Sequence, residues 1–249
     1  MRMIGAASAA ALIAVSNVRR RWHDRAMDTD HFWGVIEAAQ VSATESKPFH
    51  EVLTDLLAAR TEQEILDYQE EFDEAQNALY RWDVWAAAYL IGGGCSDDSF
   101  MDFTAGLIAQ GRDWYQQAAD SPDSLAGHPA MTAATLRQWE NPLFYEEVNY
   151  AASYAFKRVS GGDHAFWDAL AARGKRGRPP ADMGEDFDFD DEQEMHRRLP
   201  RLSAIYLGDT ATLCRTGTSV LAHGRSHCLP DQDPNRQGGG LRSLPAYEL

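Results

Sequence analysis

Between residues 28 and 207, apolar side chains recur three and four positions apart, the spacing that lines one face of an α-helix. Regular alternation at period two between turn signals, which a sheet needs, is not found there. Asp28 and Thr29 are good N-caps, and Phe32, Trp33, Ile36 and Ala39 then share a helical face. Ser46 and Pro48 open a second helix carrying Phe49, Val52, Leu53, Leu56 and Leu57. Thr61 and Glu64 form a capping box, in which each side chain satisfies the other's free backbone donor. The helix it opens carries Ile65, Tyr68, Phe72, Ala75 and Leu79, and either continues or kinks near Arg81 into Trp82, Trp85, Ala86 and Tyr89. Gly92, Gly93 and Gly94 stop it.

A further helix is expected over about residues 98–119, with Phe100, Phe103, Leu107, Trp114 and Tyr115 buried. Asn141-Pro142 signals the next start, after which Phe144, Val148, Ala151, Ala152, Ala155 and Phe156 face inward before Gly161-Gly162. Residues 165–172 add a short helix. The basic run at 174–180 and the eight carboxylates between Asp182 and Glu194 read as an exposed charged linker, 174–194, inside the domain. Met195 to Leu207, with Leu199, Leu202 and Ile205, docks back on the bundle. The expected fold is all-α: a single irregular helical bundle over 27–207, with flexible N- and C-terminal extensions.

Both ends differ from this core. Met3 to Val15 is an apolar run of 13 followed by Arg19, Arg20 and Arg21. A secretory signal carries its positive charge before the apolar run, and a membrane span needs about 20 apolar residues. Residues 1–26 are therefore read as a non-core extension, with a weak signal or interfacial anchor as the alternative. Residues 208–249 lose helical periodicity and gain Gly, Ser, Thr and Pro, which reads as a disordered tail.

Charge narrows the partners. The chain has a net charge of -15, yet residues 1–27 hold five arginines against one aspartate and 208–249 hold four charges of each sign, so residues 28–207 carry -19. Such a field repels phosphate backbones and anionic lipid, so no generic nucleic-acid binding and no membrane span are expected. Cys95, Cys214 and Cys228 form no CxxC pair and no zinc spacing, which fits a reducing, cytoplasmic setting and no cofactor.

Two stretches carry a resemblance. Tyr80-Arg81-Trp82-Asp83-Val84-Trp85-Ala86-Ala87-Ala88-Tyr89-Leu90-Ile91 runs into Gly92-Gly93-Gly94-Cys95-Ser96-Asp97-Asp98-Ser99-Phe100, followed by Phe103, Leu107-Ile108 and Gly111-Arg112. The chain resembles the bacterial domain-of-unknown-function family numbered 4240 over about 27–207, with Met27-Asp28, Phe32-Trp33, Pro122 to Ala126 and Arg198 to Leu202 agreeing too. The resemblance implies no activity, since the family has no established one.

Chemistry has few places to sit. In the loop Gly92, Gly93, Gly94, Cys95, Ser96, Asp97 and Asp98, the glycines permit close backbone approach, and Asp102 lies one turn beyond Asp98. Carboxylates so gathered have the chemistry to hold Mg²⁺ or act as an acid and base pair, the basis of a metal-dependent hydrolase reading. The plainer account is a helix stop followed by a cap. Cys95 lacks the base or positive surroundings that a nucleophilic thiol needs. A groove of Arg81, Trp82, Asp83, Trp85, Tyr89, Asp102 and Arg112 is the second candidate, against the plainer reading of an aromatic core stripe with flanking ion partners.

His31, His50, His128 and His164 have no metal or triad spacing. Asp186, Asp188 and Asp190 imitate a calcium loop, but Asp191 and Arg197 stand where it needs glycine and glutamate. Arg176-Gly177-Arg178-Pro179 matches the core of an AT-hook, giving a weak DNA-association alternative that the adjacent acids oppose. No phosphate-binding glycine motif is present. The leading expectation is a non-catalytic protein-interaction or accessory module with an unknown protein partner.

Overall fold

A computed structural model describes residues 27–131, 143–162, 165–174 and 182–208. The N-terminal apolar run, the Asn141-Pro142 start, His164, the Arg176–Pro179 run, Cys214, Cys228 and the Gly-rich end lie outside the described residues. Those described are all-α, with eleven α-helices, two short 3₁₀ turns and one isolated bridge between Thr44 and Lys47.

α1 (Thr29–Ser42) starts where Asp28 Oδ1 accepts the His31 amide at 2.9 Å, and it buries Phe32, Trp33, Val35, Ile36 and Ala39. α2 (Phe49–Ala58) follows Pro48, whose fixed φ suits a helix entry. α3 (Glu62–Ala78) opens on the complete capping box: the Glu64 amide donates to Thr61 Oγ at 3.3 Å, and the Thr61 amide to Glu64 Oε2 at 2.9 Å. Caps of this kind contribute about 1 kcal/mol each. The chain then kinks at Leu79–Arg81 into α4 (Trp82–Gly92).

The helix expected over 98–119 is two helices, α5 (Asp97–Ala109) and α6 (Arg112–Asp120). The break is Gly111, whose φ of +90° no helix accommodates and at which a Cβ would stand 3.0 Å from Gln40 Oε1. Gln40 also donates its side-chain amide to the Ala109 carbonyl at 2.7 Å, taking up an acceptor left free at the end of α5. The apolar stripe alone carried no sign of this turn, because Trp114 and Tyr115 continue the spacing.

After 3₁₀ turns at Pro122–Gly127 and Pro129–Met131 come α7 (Glu146–Asn149), α8 (Ala151–Ser160) and α9 (Ala165–Arg173). Met195 to Leu207 is likewise split, into α10 (Glu192–Arg198) and α11 (Pro200–Tyr206), at Leu199-Pro200. The free amides of Arg201 and Leu202 at the head of α11 donate to Asp123 Oδ1 at 3.0 Å each, which fastens α11 to the 3₁₀ turn.

α5 is the shared wall of two apolar clusters, and this is why residues 103–109 are buried on every side. Its Ala105, Ile108 and Ala109 join α1, α2, α3, α8 and α9 in one cluster. Its Phe100, Phe103 and Leu107 join α4, α10 and α11 in the other. At Gly106 a Cβ would fall 2.1 Å from the Leu143 carbonyl oxygen, so the backbones meet where only glycine fits.

The stretch 182–191 behaves as a charged linker in its acids, which are exposed, and not in its phenylalanines. Phe187 and Phe189 are half-buried against the second cluster. Period-two spacing sends Asp186 and Asp188 to water and the two rings to the protein.

Candidate functional site

The triple-glycine loop is built as a helix stop. Gly93 takes φ +68°, its amide reaches the Leu90 carbonyl at 3.4 Å, and the Gly94 amide reaches the Tyr89 carbonyl at 2.9 Å. That pair of bonds closes α4 in a Schellman turn. Gly92 leaves room for Phe144, whose ring would stand 3.0 Å from an added Cβ. Ser96 then caps α5 by accepting the Ser99 amide at 3.2 Å, leaving Asp97 and Asp98 in the first turn, where negative charge suits the helix dipole.

Trp85 pins this corner, its indole N–H donating to the Cys95 carbonyl at 3.1 Å. Burial first, then Asp102 and Asp97, push the Cys95 thiol up to about 12, so it stays protonated and unreactive near neutrality.

Asp102 reaches from the corner to α7. Its Oδ1 accepts the Asn149 side-chain amide at 3.1 Å, while Gln76 Nε2 lies within reach of Asn149 Oδ1, Thr104 Oγ and the Met101 carbonyl at 3.0, 3.1 and 3.2 Å. This buried polar network joins α3, α5 and α7. Burial first, then Glu146, Asp98 and Glu147, raise the Asp102 carboxyl above its ordinary value. Among the described residues no group of three or more His, Cys, Asp or Glu side chains is placed to hold a metal ion, Asp97, Asp98 and Asp102 included.

Asp102 apart, the proposed groove residues separate into three places. Arg112 lies on the far side, donating to Asp30 at 2.8 Å at the edge of an open cleft of about 260 Å³ between α1, α3 and α6, floored by Phe32, Trp33 and Tyr115. Arg81 and Asp83 are tied to each other by two bonds of 3.0 Å, and Arg81 also caps α6 through the Ala119 carbonyl at 2.7 Å. Both are structural partners. Trp82, Trp85 and Tyr89 remain together on one face of α4, at positions three and seven residues apart.

On that face Trp85 stacks on Phe100 with centroids 4.5 Å apart, and Trp82 stacks on Trp85 at 5.8 Å. The surface so made is not bare. Phe189 presents an edge to Trp82 at 6.2 Å and lies against Tyr89 at 5.5 Å, with Phe187 beside it at 5.1 Å. The Trp82 amide donates to the Met183 carbonyl at 3.0 Å, and the Tyr89 hydroxyl to Asp190 Oδ1 at 2.6 Å. Arg198 sits 4.1 Å over the Phe187 ring and pairs with Glu185 at 2.7 Å. Residues 182–191 thus form a strap across α4. Reading the sequence for site residues missed Phe187, Phe189, Asp190 and Arg198; the signal was the Phe-Asp-Phe-Asp alternation at 187–190, hidden by its likeness to a calcium loop.

His50 and Tyr145 form a separate pair, Nδ1 to hydroxyl, at 3.0 Å. His128 is buried against Trp114, its Nδ1 accepting the Ala130 amide at 3.1 Å, and burial lowers its pKa, keeping it neutral. No described helix is long and apolar enough to cross a membrane.

No curated protein and no solved structure matches the chain. A family described as protein of unknown function, DUF4240, matches residues 27–158, which takes in α1 to most of α8, the glycine corner and the aromatic face of α4, and stops short of the strap. A match over more than half of the chain, centred on the elements that build this face, places the protein in that family: it belongs to DUF4240.

Proposed function

We propose that this chain is a non-catalytic protein-interaction module of the cytoplasm, with the aromatic face of α4 as its docking surface. The observation that carries the reading is the strap itself: a segment about a hundred residues away in sequence lies on Trp82 and Tyr89 in extended form, through ring contacts and a backbone hydrogen bond. Extended segments held this way are a recurrent mode of peptide recognition, in which backbone bonds give affinity and side-chain pockets give selectivity. Flat aromatic surfaces with a polar handle are also the side chains most enriched where proteins meet.

The chemistry of the other candidates supports the same reading. Cys95 is held as a thiol, Asp97 and Asp98 sit in a helix first turn, and Asp102 belongs to a buried network. The DNA alternative rests on residues 176–179, which lie outside the described residues.

A photoreactive phenylalanine analogue at position 89 of the full chain tests the reading in the native cells. A discrete adduct with a second polypeptide is expected from position 89 and not from exposed position 37 on α1. Finding no adduct, or equal adducts from both positions, removes the interaction reading.

A further inference from the structure

We infer that the strap is an internal ligand of the α4 face, and that the partner it stands in for is an extended polypeptide with aromatic side chains two residues apart and carboxylates between and beside them. The inference rests on the interaction reading above and names the chemistry of the partner.

Four observations lead to it. First, the strap binds by contacts that any polypeptide of that pattern reproduces: a backbone carbonyl for the Trp82 amide, rings for Trp82 and Tyr89, and a carboxylate for the Tyr89 hydroxyl. Second, the strap is acidic and lies on a domain that is itself acidic, so general charge attraction does not hold it in place. The rings do, helped at one point by Arg198 over Phe187 and against Glu185.

Third, the strap's own backbone is not knitted into a sheet or helix. Its amides at Gly184 and Asp190 turn back on the side chains of Asp182 and Asp188, at 2.8 and 2.9 Å, and these bonds survive lifting. Fourth, Asp191 caps α10 by accepting the Gln193 and Glu194 amides at 2.9 and 3.2 Å, so the helix after the strap has an anchor independent of the rings. A segment so attached meets the α4 face at an effective concentration on the order of millimolar. An outside peptide must displace it, and the apparent affinity falls in proportion to the fraction of time the face is uncovered.

A synthetic, fluorescein-labelled peptide of residues 183–191 is titrated by anisotropy into the full chain and into its Phe187→Ala/Phe189→Ala variant. Saturable binding to the variant, about tenfold or more tighter than to the parent chain, is expected. A peptide with both phenylalanines changed to alanine is expected to bind neither protein. No saturable binding to a variant that keeps its far-ultraviolet dichroism and cooperative unfolding overturns the inference, as does equal affinity for the two proteins.

Should the variant fail to fold, hydrogen exchange in the unaltered chain decides. Trp82 is the first residue of α4, so its amide has no acceptor within the helix and only Met183 protects it. Exchange at Trp82 at least about tenfold faster than at Ala88, deep in the same helix, is expected of a strap that lifts on its own. Equal rates mean that the strap opens only when the domain unfolds, and the inference falls. Peptide binding without a cellular adduct at position 89 removes the interaction reading and the partner with it; an adduct without peptide binding overturns this inference alone.

Discussion

The two apolar clusters flanking α5 are finished in different ways. Around Phe32, Trp33, Tyr68, Phe72, Phe156 and Phe166 the cover is mostly helix, with the cleft between α1, α3 and α6 at one edge, and these rings are all buried. Across α5 the floor is Ala86, Ala87 and Ala88 under Phe100 and Phe103, but the outer rings, Trp85, Tyr89, Phe187 and Phe189, are only partly buried, and the cover is an extended strap. A helix brings its backbone bonds with it. The strap brings one amide acceptor, two rings and the carboxylates of Asp190 and Glu185, and most of its residues are exposed. The difference teaches where this fold can open without coming apart: cover that is not self-bonded is cover that exchanges at low cost.

Phe72→Ala puts that contrast to its hardest test. Removing a ring that is 2% exposed from the helix-walled cluster costs about 3–5 kcal/mol, in lost transfer energy and in the cavity left behind. Because α5 serves both clusters, one cooperative transition is expected by urea denaturation, shifted well below the parent midpoint when followed by tryptophan fluorescence and by dichroism alike. A two-step transition, with the α4 side outlasting the other, would break the description of α5 as a shared wall.

Gly106→Ala strikes that wall directly, and its expected effect is smaller. Alanine suits a helix better than glycine by roughly 0.5–1 kcal/mol. The added carbon would stand 2.1 Å from a backbone oxygen that no rotamer change moves. Overpacking of this kind costs about 1–3 kcal/mol, so the net sign is destabilising. Differential scanning calorimetry is the measurement, and an unchanged or raised Tm would mean that α5 and the Leu143 strand of chain can separate freely.

How much of this was legible beforehand follows from what kind of signal each feature leaves. Asp28, Thr61 with Glu64, Ser96 and the glycine stop were readable because capping is local: donor and acceptor lie close together in sequence. Gly111 was not, because the side chain that would crowd any larger residue there is Gln40 on α1, far away in sequence. The groove was half legible. Spacing put Trp82, Trp85 and Tyr89 on one face, but it cannot say which helix another helix meets, so Arg112 and Asp102 were grouped with them and belong elsewhere. The strap was illegible as structure since four alternating residues among eight carboxylates look like a solvated run, and only the tertiary surface gives Phe187 and Phe189 something to cover.

Tyr68→Phe sharpens the comparison from the sealed side. The Tyr68 hydroxyl is buried between Phe32 and Phe72 and has no hydrogen-bond partner among the described residues, and burial pushes its phenol far above the ordinary range. An unpaired buried hydroxyl costs about 1–3 kcal/mol, so its removal is expected to raise stability by about 1 kcal/mol, read as a higher urea midpoint with an unchanged slope. A loss of stability instead would show that this cluster admits a polar partner and is less closed than the one beneath the strap.

The smallest effect is expected at Asp102, where the two clusters adjoin through the network of Gln76, Thr104 and Asn149. Burial, Glu146, Asp98 and Glu147 hold its folded carboxyl above the ordinary value of 3.8. A raised folded pKa means that the folded state binds the proton more tightly, so the contribution to stability is complete below about 3.8 and is lost as pH rises through the folded value. At neutral pH the ionised carboxylate therefore opposes the fold. Asn in its place keeps an oxygen for the Asn149 amide and carries no charge. Asp102→Asn is thus expected to be more stable than the parent at about pH 7, with the advantage shrinking as pH falls toward 4, and the partial exposure of the carboxyl keeps the gain small through solvent screening. Thermal melts across that range measure it. An advantage that instead grows toward acid pH would mean that the carboxylate is held in its charged form by the network, and that the seam between the clusters is an ion-binding arrangement, not a neutral joint.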